Sequence, residues 1–334
     1  MHTSILGGSA VLACAGIIAT AAVFGLTYSL SAALIALDLA ERGLSESLIG
    51  ANAAMHAVGV LVMAFLLPRI GARWGLRRSI TGALALAALL LCLFPMMPLV
   101  WLWFPLRVVL GAASEVLFVL SETWLNALTS EGSRARTMGA YTAALSIGFA
   151  LGPVILSLVG SDGFTAYGVG AALVAAAALF VALARIAAPD FEKPEHGNPV
   201  RYMRLAPVAM GATALNAAIE TAGLTFLTLY AMSLGWGEAE ATQLMACMMF
   251  GAIVLQVPIG WLGDRMDRER LIVALAVVSA LGAAIWPFVL ASPVMTYALL
   301  FVWGGVFVGI YTMMLAIVGS RFSGSDLIGI YAGM

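Results

Sequence analysis

Three ionisable residues, Arg107, Glu115 and Glu122, lie inside one long apolar run and are suited to proton chemistry. At 100° per residue, the two glutamates fall within about 20° of one helical face, with Arg107 about 80° from Glu115. A carboxyl group there can bind a proton in apolar surroundings and release it near water or a cation. The alternative is a structural carboxylate that pairs elsewhere in a helix bundle.

Two polar pairs have the i, i+4 spacing that places both members on one helical face, Asn52 with His56 and Asn216 with Glu220. Histidine titrates near neutral pH and can relay protons, and Glu220 is a further candidate for proton coupling. The alternatives are a packing role for His56 and a structural ion pair between Glu220 and Arg107.

Three aromatic residues, Tyr28, Trp124 and Tyr311, are candidates for contact with a solute, with helix packing as the alternative. The chain contains no GxxxxGK[ST], HExxH or GxSxG motif, so the sequence predicts neither ATP-driven transport nor an enzyme with catalytic residues. The three cysteines stand far apart and outside any metal-ligand spacing, so we expect no metal site and no cofactor.

The composition indicates that these residues lie in a membrane. The chain of 334 residues is 63% hydrophobic and 10% charged, with a mean hydropathy of +1.04. Soluble domains carry about 25% charged residues, so lipid must solvate much of this surface. The net charge of −1 gives no basic field for nucleic acid, and no such partner is expected. The fold class is therefore an all-α membrane protein within a lipid bilayer.

The apolar runs predict ten complete transmembrane helices plus the start of an eleventh, which begins near Leu327. The runs are 10–37, 46–67, 79–97, 100–128, 137–159, 164–187, 206–234, 239–262, 271–290 and 293–319. The first lacks the basic start of a signal peptide and is too long for one, so it is predicted to be a membrane helix. Two more helices would complete the second half, so we expect the chain to be truncated.

The basic residues predict the orientation of the chain. With a cytoplasmic N-terminus, fourteen of the sixteen lysines and arginines fall in cytoplasmic connections. Such connections are enriched in Lys and Arg, so the bias favours this topology. The polar, proline-containing stretch 189–204 reads as a cytoplasmic linker. The predicted domains are an N-terminal six-helix bundle (1–187), a linker (188–205) and an incomplete C-terminal bundle (206–334).

The second half repeats the first. The stretch "LPRIGARWGLRR" (67–78) follows the second run and "IGWLGDRMDRER" (259–270) follows the eighth, 192 residues later. Two parallel repeats of this kind are typical of the halves of some membrane transporters. Aligning Gly111 with Gly305 places Phe301 and Gly309 at the positions of Arg107 and Glu115. The ionisable groups of the two halves are therefore unequal.

Several motifs in their expected order resemble those of the major facilitator superfamily. The loop after the eighth run carries Gly260, Asp264, Arg265 and Arg268, with Asp267 where glycine is usual. A weaker first copy keeps Arg73, Gly75 and Arg77, with Ala72 in place of the aspartate. The fourth run matches R-x-x-x-G at Arg107 and Gly111, and the fifth matches G-x-x-x-G-P at Gly148, Gly152 and Pro153. The stretch "LSETWLNAL" (120–128) is similar to the YcaD-like branch of bacterial transporters.

The resemblance implies the major facilitator fold, with two pseudo-symmetric helical bundles, and a monomeric secondary active transporter. Such a protein moves a small solute across the bacterial cytoplasmic membrane by alternating access. Proton coupling is expected here, and the Gly-Pro of the fifth run leans slightly toward export. The resemblance also places Asp264 close to the start of the fifth helix, where a helix N-terminus attracts negative charge. Asp264 is therefore expected to latch the first turn near Thr137.

Two other functions remain open from the residues alone. One is a non-transporting membrane sensor or scaffold on a transporter fold, which would lack ionisable groups in the cavity or carry a large soluble appendage. The other is a transport-dead fragment, because the second half is incomplete as read from the apolar runs. The sequence does not name the solute.

Overall fold

The computed structural model is all-helical over the residues that it describes, which are 2–160, 163–183, 199–289 and 292–334. The helices are α1 (His2–Glu41), α2 (Glu46–Trp74), α3 (Leu76–Met96), α4 (Trp103–Leu128), α5 (Arg134–Val159), α6 (Thr165–Leu183), α7 (Pro199–Leu205), α8 (Pro207–Ser233), α9 (Glu238–Val254), α10 (Gln256–Gly263), α11 (Arg268–Val289), α12 (Pro293–Arg321) and α13 (Gly324–Tyr331). Short 3₁₀ turns at Val100–Leu102 and Glu131–Ser133 precede α4 and α5. No strand occurs in these ranges.

Nine helical stretches within the described part of the chain are long and apolar enough to cross a membrane. One of them, Ala246–Gly263, runs through the junction of α9 and α10. Pro258 lies just after this junction, and a proline lacks the N–H that would bond four residues back, so it interrupts the helical ladder there. The all-α membrane fold is confirmed, while the count of ten complete helices plus the start of an eleventh stays a prediction.

Several predicted boundaries differ from the structure, among them those of the linker and of the fifth helix. The linker (188–205) ends in the helix α7, and its residues 188–198 lie outside the described ranges. The fifth helix begins at Arg134, three residues before the predicted apolar run, because a helix continues through polar residues at the membrane surface. Hydropathy finds the apolar core of a helix and misses such ends.

The chain forms two compact units. Unit 1 contains residues 1–128, 147–202 and 322–333, and unit 2 contains residues 129–146 and 203–321 with Met334. The helix α5 is divided between them, since its first half belongs to unit 2 and its second half to unit 1. Within unit 1, α13 packs on α2, where Ile328 meets Gly71. The division into two halves along the sequence stays a prediction.

A close helix crossing recurs in both units. In unit 1, α2 and α4 approach so closely that a Cβ at Gly59 would overlap the carbonyl oxygen of Val108, and one at Gly111 would overlap that of His56. Small residues at such crossings let two backbones come together in a membrane.

The crossing of α9 and α12 in unit 2 repeats this pattern. A Cβ at Gly251 would overlap the carbonyl oxygen of Phe301, and one at Gly304 would overlap that of Met248. The matching residues of the two crossings are 192 or 193 positions apart. The alignment of Gly111 with Gly305 is therefore wrong by one residue, because Gly304 is the one that approaches a carbonyl in the same way.

The corrected register changes which residues correspond. Leu300 takes the position of Arg107, and Val308 takes the position of Glu115, each 193 residues further along. Both replacements are apolar, so the inequality of the halves in ionisable groups remains. The repeated element is the glycine-lined crossing, and the charges of α4 are specific to unit 1.

Candidate functional site

A polar cluster forms inside unit 1 around Arg107 of α4. This arginine is only 4% exposed, and its Nη1 donates to Ser31 Oγ of α1 at 3.5 Å. Its Nε is buried without a hydrogen-bond partner. Among the described residues, no aspartate or glutamate lies within ion-pair distance of the guanidinium. A buried cation without a counter-ion is costly in a membrane span.

The α2 pair predicted from its spacing is buried on the helix that crosses α4 at Gly111. Asn52 is 1% exposed and His56 is 5% exposed. Asn52 Nδ2 and both ring nitrogens of His56 are buried without partners. The Gly111 crossing seats His56 against α4, within electrostatic range of Arg107. Buried polar atoms are usually hydrogen-bonded, so this concentration of unpaired groups needs an explanation.

Aromatic rings from three helices form a second group in the same unit. Phe24 and Tyr28 lie on α1, Phe118 on α4 and Phe149 on α5. Phe24 stacks on Phe118 with ring centroids 5.2 Å apart, and Tyr28 meets Phe149 edge to face at 5.5 Å. Tyr28 also meets the His56 ring edge to face at 5.0 Å, which joins the aromatic group to the polar cluster.

The two carboxylic acids of α4 are buried. Glu115 is 7% exposed and Glu122 is 1% exposed, both inside unit 1. Trp124, predicted as a contact for solute, is 1% exposed, a burial that favours its alternative role in packing. The acids and Arg107 thus occupy one helix within one unit.

The candidates of unit 2 are less fully placed. Asn216 of α8 is 9% exposed, and its Oδ1 is buried without a partner. Glu220 falls within α8, but its side chain lies outside the described part of the structure. Tyr311 of α12 is half-buried. Within the described residues, no group of three His, Cys, Asp or Glu side chains could hold a metal ion.

Asp264 contacts the start of α5 inside unit 2. Its Oδ1 accepts the N–H of Ala135 at 2.8 Å, and its Oδ2 accepts that of Arg136 at 3.2 Å. The first N–H groups of a helix have no partner in the helix, and its N-terminus favours negative charge. A Cβ at Gly260 would lie 2.5 Å from the Ala135 carbonyl oxygen, so glycine permits this approach. The two N–H groups belong to the residues two and one positions before Thr137, the position named from the sequence.

The arginines of the same loop have different neighbours. Arg268 donates from Nη1 to Glu131 Oε1 at 2.5 Å and lies 3.9 Å from Asp264. Arg265 instead stacks over the ring of Trp261, 3.7 Å from its centroid. Sequence reasoning missed Glu131, which lies in a short polar turn where nothing in the sequence indicates a partner 137 residues away.

Unit 2 contains a buried series of hydrogen bonds that sequence reasoning also missed. The Thr142 and Thr312 hydroxyls are 2.8 Å apart, and Thr312 donates to Gln256 Oε1 at 2.7 Å. Gln256 Nε2 then donates to the Gly305 carbonyl at 3.0 Å. This series ties α5, α10 and α12 together. The polar residue Gln256 within an apolar run is the sequence feature that could have indicated a buried hydrogen bond.

The first copy of the loop motif serves packing within unit 1. Gly75 joins α2 to α3 with a φ of 74°, a conformation that favours glycine. Arg77 donates from Nε to the Val181 carbonyl at 3.2 Å and also contacts the Ala182 carbonyl, both near the end of α6. Arg73 is exposed. Cations stabilise the carbonyl end of a helix, so Arg77 caps α6.

The helix-five motif lies in the second half of α5, against α1. A Cβ at Gly148 would overlap the Ala22 carbonyl, and one at Gly152 would overlap the Ser29 hydroxyl. Pro153 follows within α5. The two glycines therefore set the close packing of α5 on α1 inside unit 1.

Comparison with known proteins assigns the family. The sequence model of the Major Facilitator Superfamily matches residues 12–334. The chain is 24% identical over 265 residues to the uncharacterized MFS-type transporter YfkF of Bacillus subtilis, covering 78% of this chain and 68% of that protein. It is 25% identical over 215 residues to the uncharacterized MFS-type transporter YcaD of Escherichia fergusonii, covering 64% of this chain and 55% of that protein.

The fold is shared with a solved transporter structure. The fucose:proton symporter FucP of E. coli superposes with a TM-score of 0.78 at 16% identity, over 97% of this chain and 88% of that chain. At this identity the likeness shows the fold alone. The match to YcaD fits the resemblance seen in the fourth apolar run. The matched region covers 68% of the length of YfkF and 55% of the length of YcaD, so the chain spans about two thirds or less of these curated relatives.

Proposed function

The chain belongs to the Major Facilitator Superfamily, a family of membrane transporters that are not enzymes, and from that premise we propose that it couples solute movement to protons. In this proposal it works by alternating access as a monomer in a bacterial cytoplasmic membrane, with its N-terminus in the cytoplasm. The Gly-Pro of α5 favours export, and the solute is small.

The burial of Glu115 and Glu122 within α4 carries the proposal. An ionised carboxylate is costly in an apolar span. A buried acid therefore favours its protonated form in apolar surroundings and releases the proton when water reaches it. Glu115 and Glu122 lie about 10 Å apart along the helix, which would give a proton two successive positions. FucP is named a proton symporter, and proton coupling on the same fold agrees with this view.

Asp264 supplies the conformational part of the proposal. Its contacts with the first turn of α5 would stabilise one state of the alternating cycle, because α5 contributes to both units. Breaking those contacts would shift the population toward the state that is open to the cytoplasm. The first motif copy has Ala72 at the matching place and offers no carboxylate there.

Proton coupling can be tested in proteoliposomes that contain a pH-sensitive dye. A thermal-shift screen of metabolites and drugs first supplies a solute, and its addition should then change the internal pH. We expect Glu115→Gln or Glu122→Gln to abolish the pH change, whereas Glu46→Gln, at an exposed position in the first turn of α2, leaves it intact. Coupled transport that survives in Glu115→Gln, Glu122→Gln and Glu220→Gln alike would contradict the proposal.

A further inference from the structure

We propose that Arg107, Asn52 and His56 form a seat for the carboxylate of an organic monoanion with an apolar, aromatic body. The inference rests on the proposed function in one respect, that the bound anion is the transported solute. The seat lies entirely within unit 1, between α1, α2 and α4.

The charge of Arg107 indicates an anion. Its guanidinium is buried and has one long hydrogen bond, to the neutral hydroxyl of Ser31. No acidic residue of the described chain neutralises it. Burial of an unpaired charge is unfavourable, whereas the planar fork of arginine matches a carboxylate with two parallel hydrogen bonds. A bound carboxylate would supply the missing counter-charge.

The neighbouring donors converge on the same region. As alternate spans of the membrane, α2 and α4 run in the same direction, and the crossing at Gly59 and Gly111 holds them together. The side chains of a helix tilt toward its N-terminus. The side chain of Arg107 therefore extends from the crossing toward the level of Asn52, which lies one helical turn N-terminal to His56. Asn52 Nδ2 and the His56 ring nitrogens have no other partner in the described residues. They are free to complete the hydrogen bonds of a carboxylate.

The surroundings define the rest of the ligand. Arg107 is the one permanent cation in the cluster, so a monoanion balances it, whereas a phosphate dianion would require a second cation. The Tyr28 ring adjoins His56 and continues into Phe149 and Phe24 at centroid distances of 5.5 Å and 6.3 Å. Aromatic walls beside a charged group fit a ligand with an apolar body and one anionic end.

Binding to the purified full chain tests the seat without any need for transport. Benzoate and phenylacetate are added in a thermal-shift titration, with benzamide and phenylacetamide as neutral matches and chloride as a small inorganic anion. We expect saturable stabilisation by the carboxylates alone. Loss of a hydrogen bond to a charged group predicts about 10- to 100-fold weaker binding in Arg107→Gln. Arg78→Gln, at an exposed position, should bind as the wild type does.

A second variant keeps the test decisive when Arg107→Gln fails to fold. In the proposed seat, Asn52→Asp introduces a carboxylate that faces the guanidinium and so supplies the counter-ion from within the chain. We expect this variant to have a higher apparent Tm without ligand and to lose its response to benzoate. Asn52→Leu, which removes the donor without adding charge, should lose the response without gaining stability.

Three results would overturn the inference: no response to either carboxylate, an equal response to the amides, or an equal response to chloride, which would make the seat one for an inorganic ion only. A carboxylate response that persists in Arg107→Gln or Asn52→Asp would also overturn it. The proposed function and the seat can be refuted independently. Carboxylate binding without proton-coupled flux would refute proton coupling and leave the seat intact. Coupled flux of another solute without carboxylate binding refutes the seat alone.

Discussion

The carboxylate of Asp264 is predicted to hold the first turn of α5, and Asp264→Asn is the smallest change that tests this. The side chain is only 6% exposed, and each of its oxygens accepts one backbone N–H, at 2.8 Å from Ala135 and 3.2 Å from Arg136. Asparagine keeps the shape but has one acceptor oxygen. Its NH₂ group would face an N–H donor of the helix.

The cost follows from these two bonds. A hydrogen bond to a charged group contributes about 1.5–3 kcal/mol, and a carboxylate near a helix N-terminus gains about 0.3–1 kcal/mol from the dipole. Loss of one bond and of the charge therefore weakens the contact by about 2–4 kcal/mol. At 1.4 kcal/mol per factor of ten, the opening of this turn should become about 30- to 700-fold more frequent.

Amide hydrogen exchange measures this opening directly. When reclosing is fast, the exchange rate of a protected N–H follows the fraction of time that its contact is open. The peptide that contains Ala135 and Arg136 should exchange about 30- to 700-fold faster in Asp264→Asn. A cysteine at Met138, which is fully buried in the same turn, should also react faster with a water-soluble maleimide.

Asp267→Asn is the matched control. It removes the same charge three residues away, where Asp267 Oδ1 accepts the N–H of Arg270 at 2.9 Å in the first turn of α11. This variant should speed exchange at Arg270 and leave the α5 peptide unchanged. Equal exchange of the α5 peptide in wild type and Asp264→Asn, with equal labelling at residue 138, would refute the reasoning.

Two further predictions concern packing, and both use apparent Tm as the measurement. Gly111→Ala should lower the stability of unit 1 by about 1–3 kcal/mol, because the new methyl group meets the His56 carbonyl. Gly82→Ala, with nothing within 4 Å, should be neutral or stabilising, so equal effects would contradict the crossing. Arg77→Leu should cost about 1.5–3 kcal/mol through lost bonds to the end of α6, whereas Arg78→Leu should change little. A stable Arg77→Leu would show that α6 needs no such cap.

The sequence predicts the helical membrane fold and the family well because both depend on local signals. Apolar run length indicates a span directly, and the loop motif "GWLGDR" (260–265) keeps its residues together in the chain. The spacing of Asn52 and His56 also places both on one face, and the structure buries both.

What the sequence could not supply depends on distant contacts. The bond of Arg268 to Glu131 joins residues 137 positions apart, and no periodicity links them. The register of the repeat was off by one because Gly304 and Gly305 are adjacent and identical in type. Only the approach of Gly304 to the Met248 carbonyl identifies Gly304, and not Gly305, as the residue that matches Gly111. The chain of bonds from Thr142 through Thr312 to Gln256 likewise needed three helices to be in place.

The corrected register shows that the two crossings share their backbone packing but differ in charge. Glycines permit the close approach in both units, and this approach depends on side-chain size rather than on polarity. The positions of Arg107 and Glu115 are occupied by Leu300 and Val308 in the second crossing. Because each buried charge is costly, a single set is the less costly arrangement, and it places the arginine of the proposed anion seat and both acids on α4. From Arg107 to Glu122 the axial distance is about 22 Å. A single helix would then carry the charged contact for the solute and two proton sites, so a shift of α4 would change the surroundings of Arg107, Glu115 and Glu122 together.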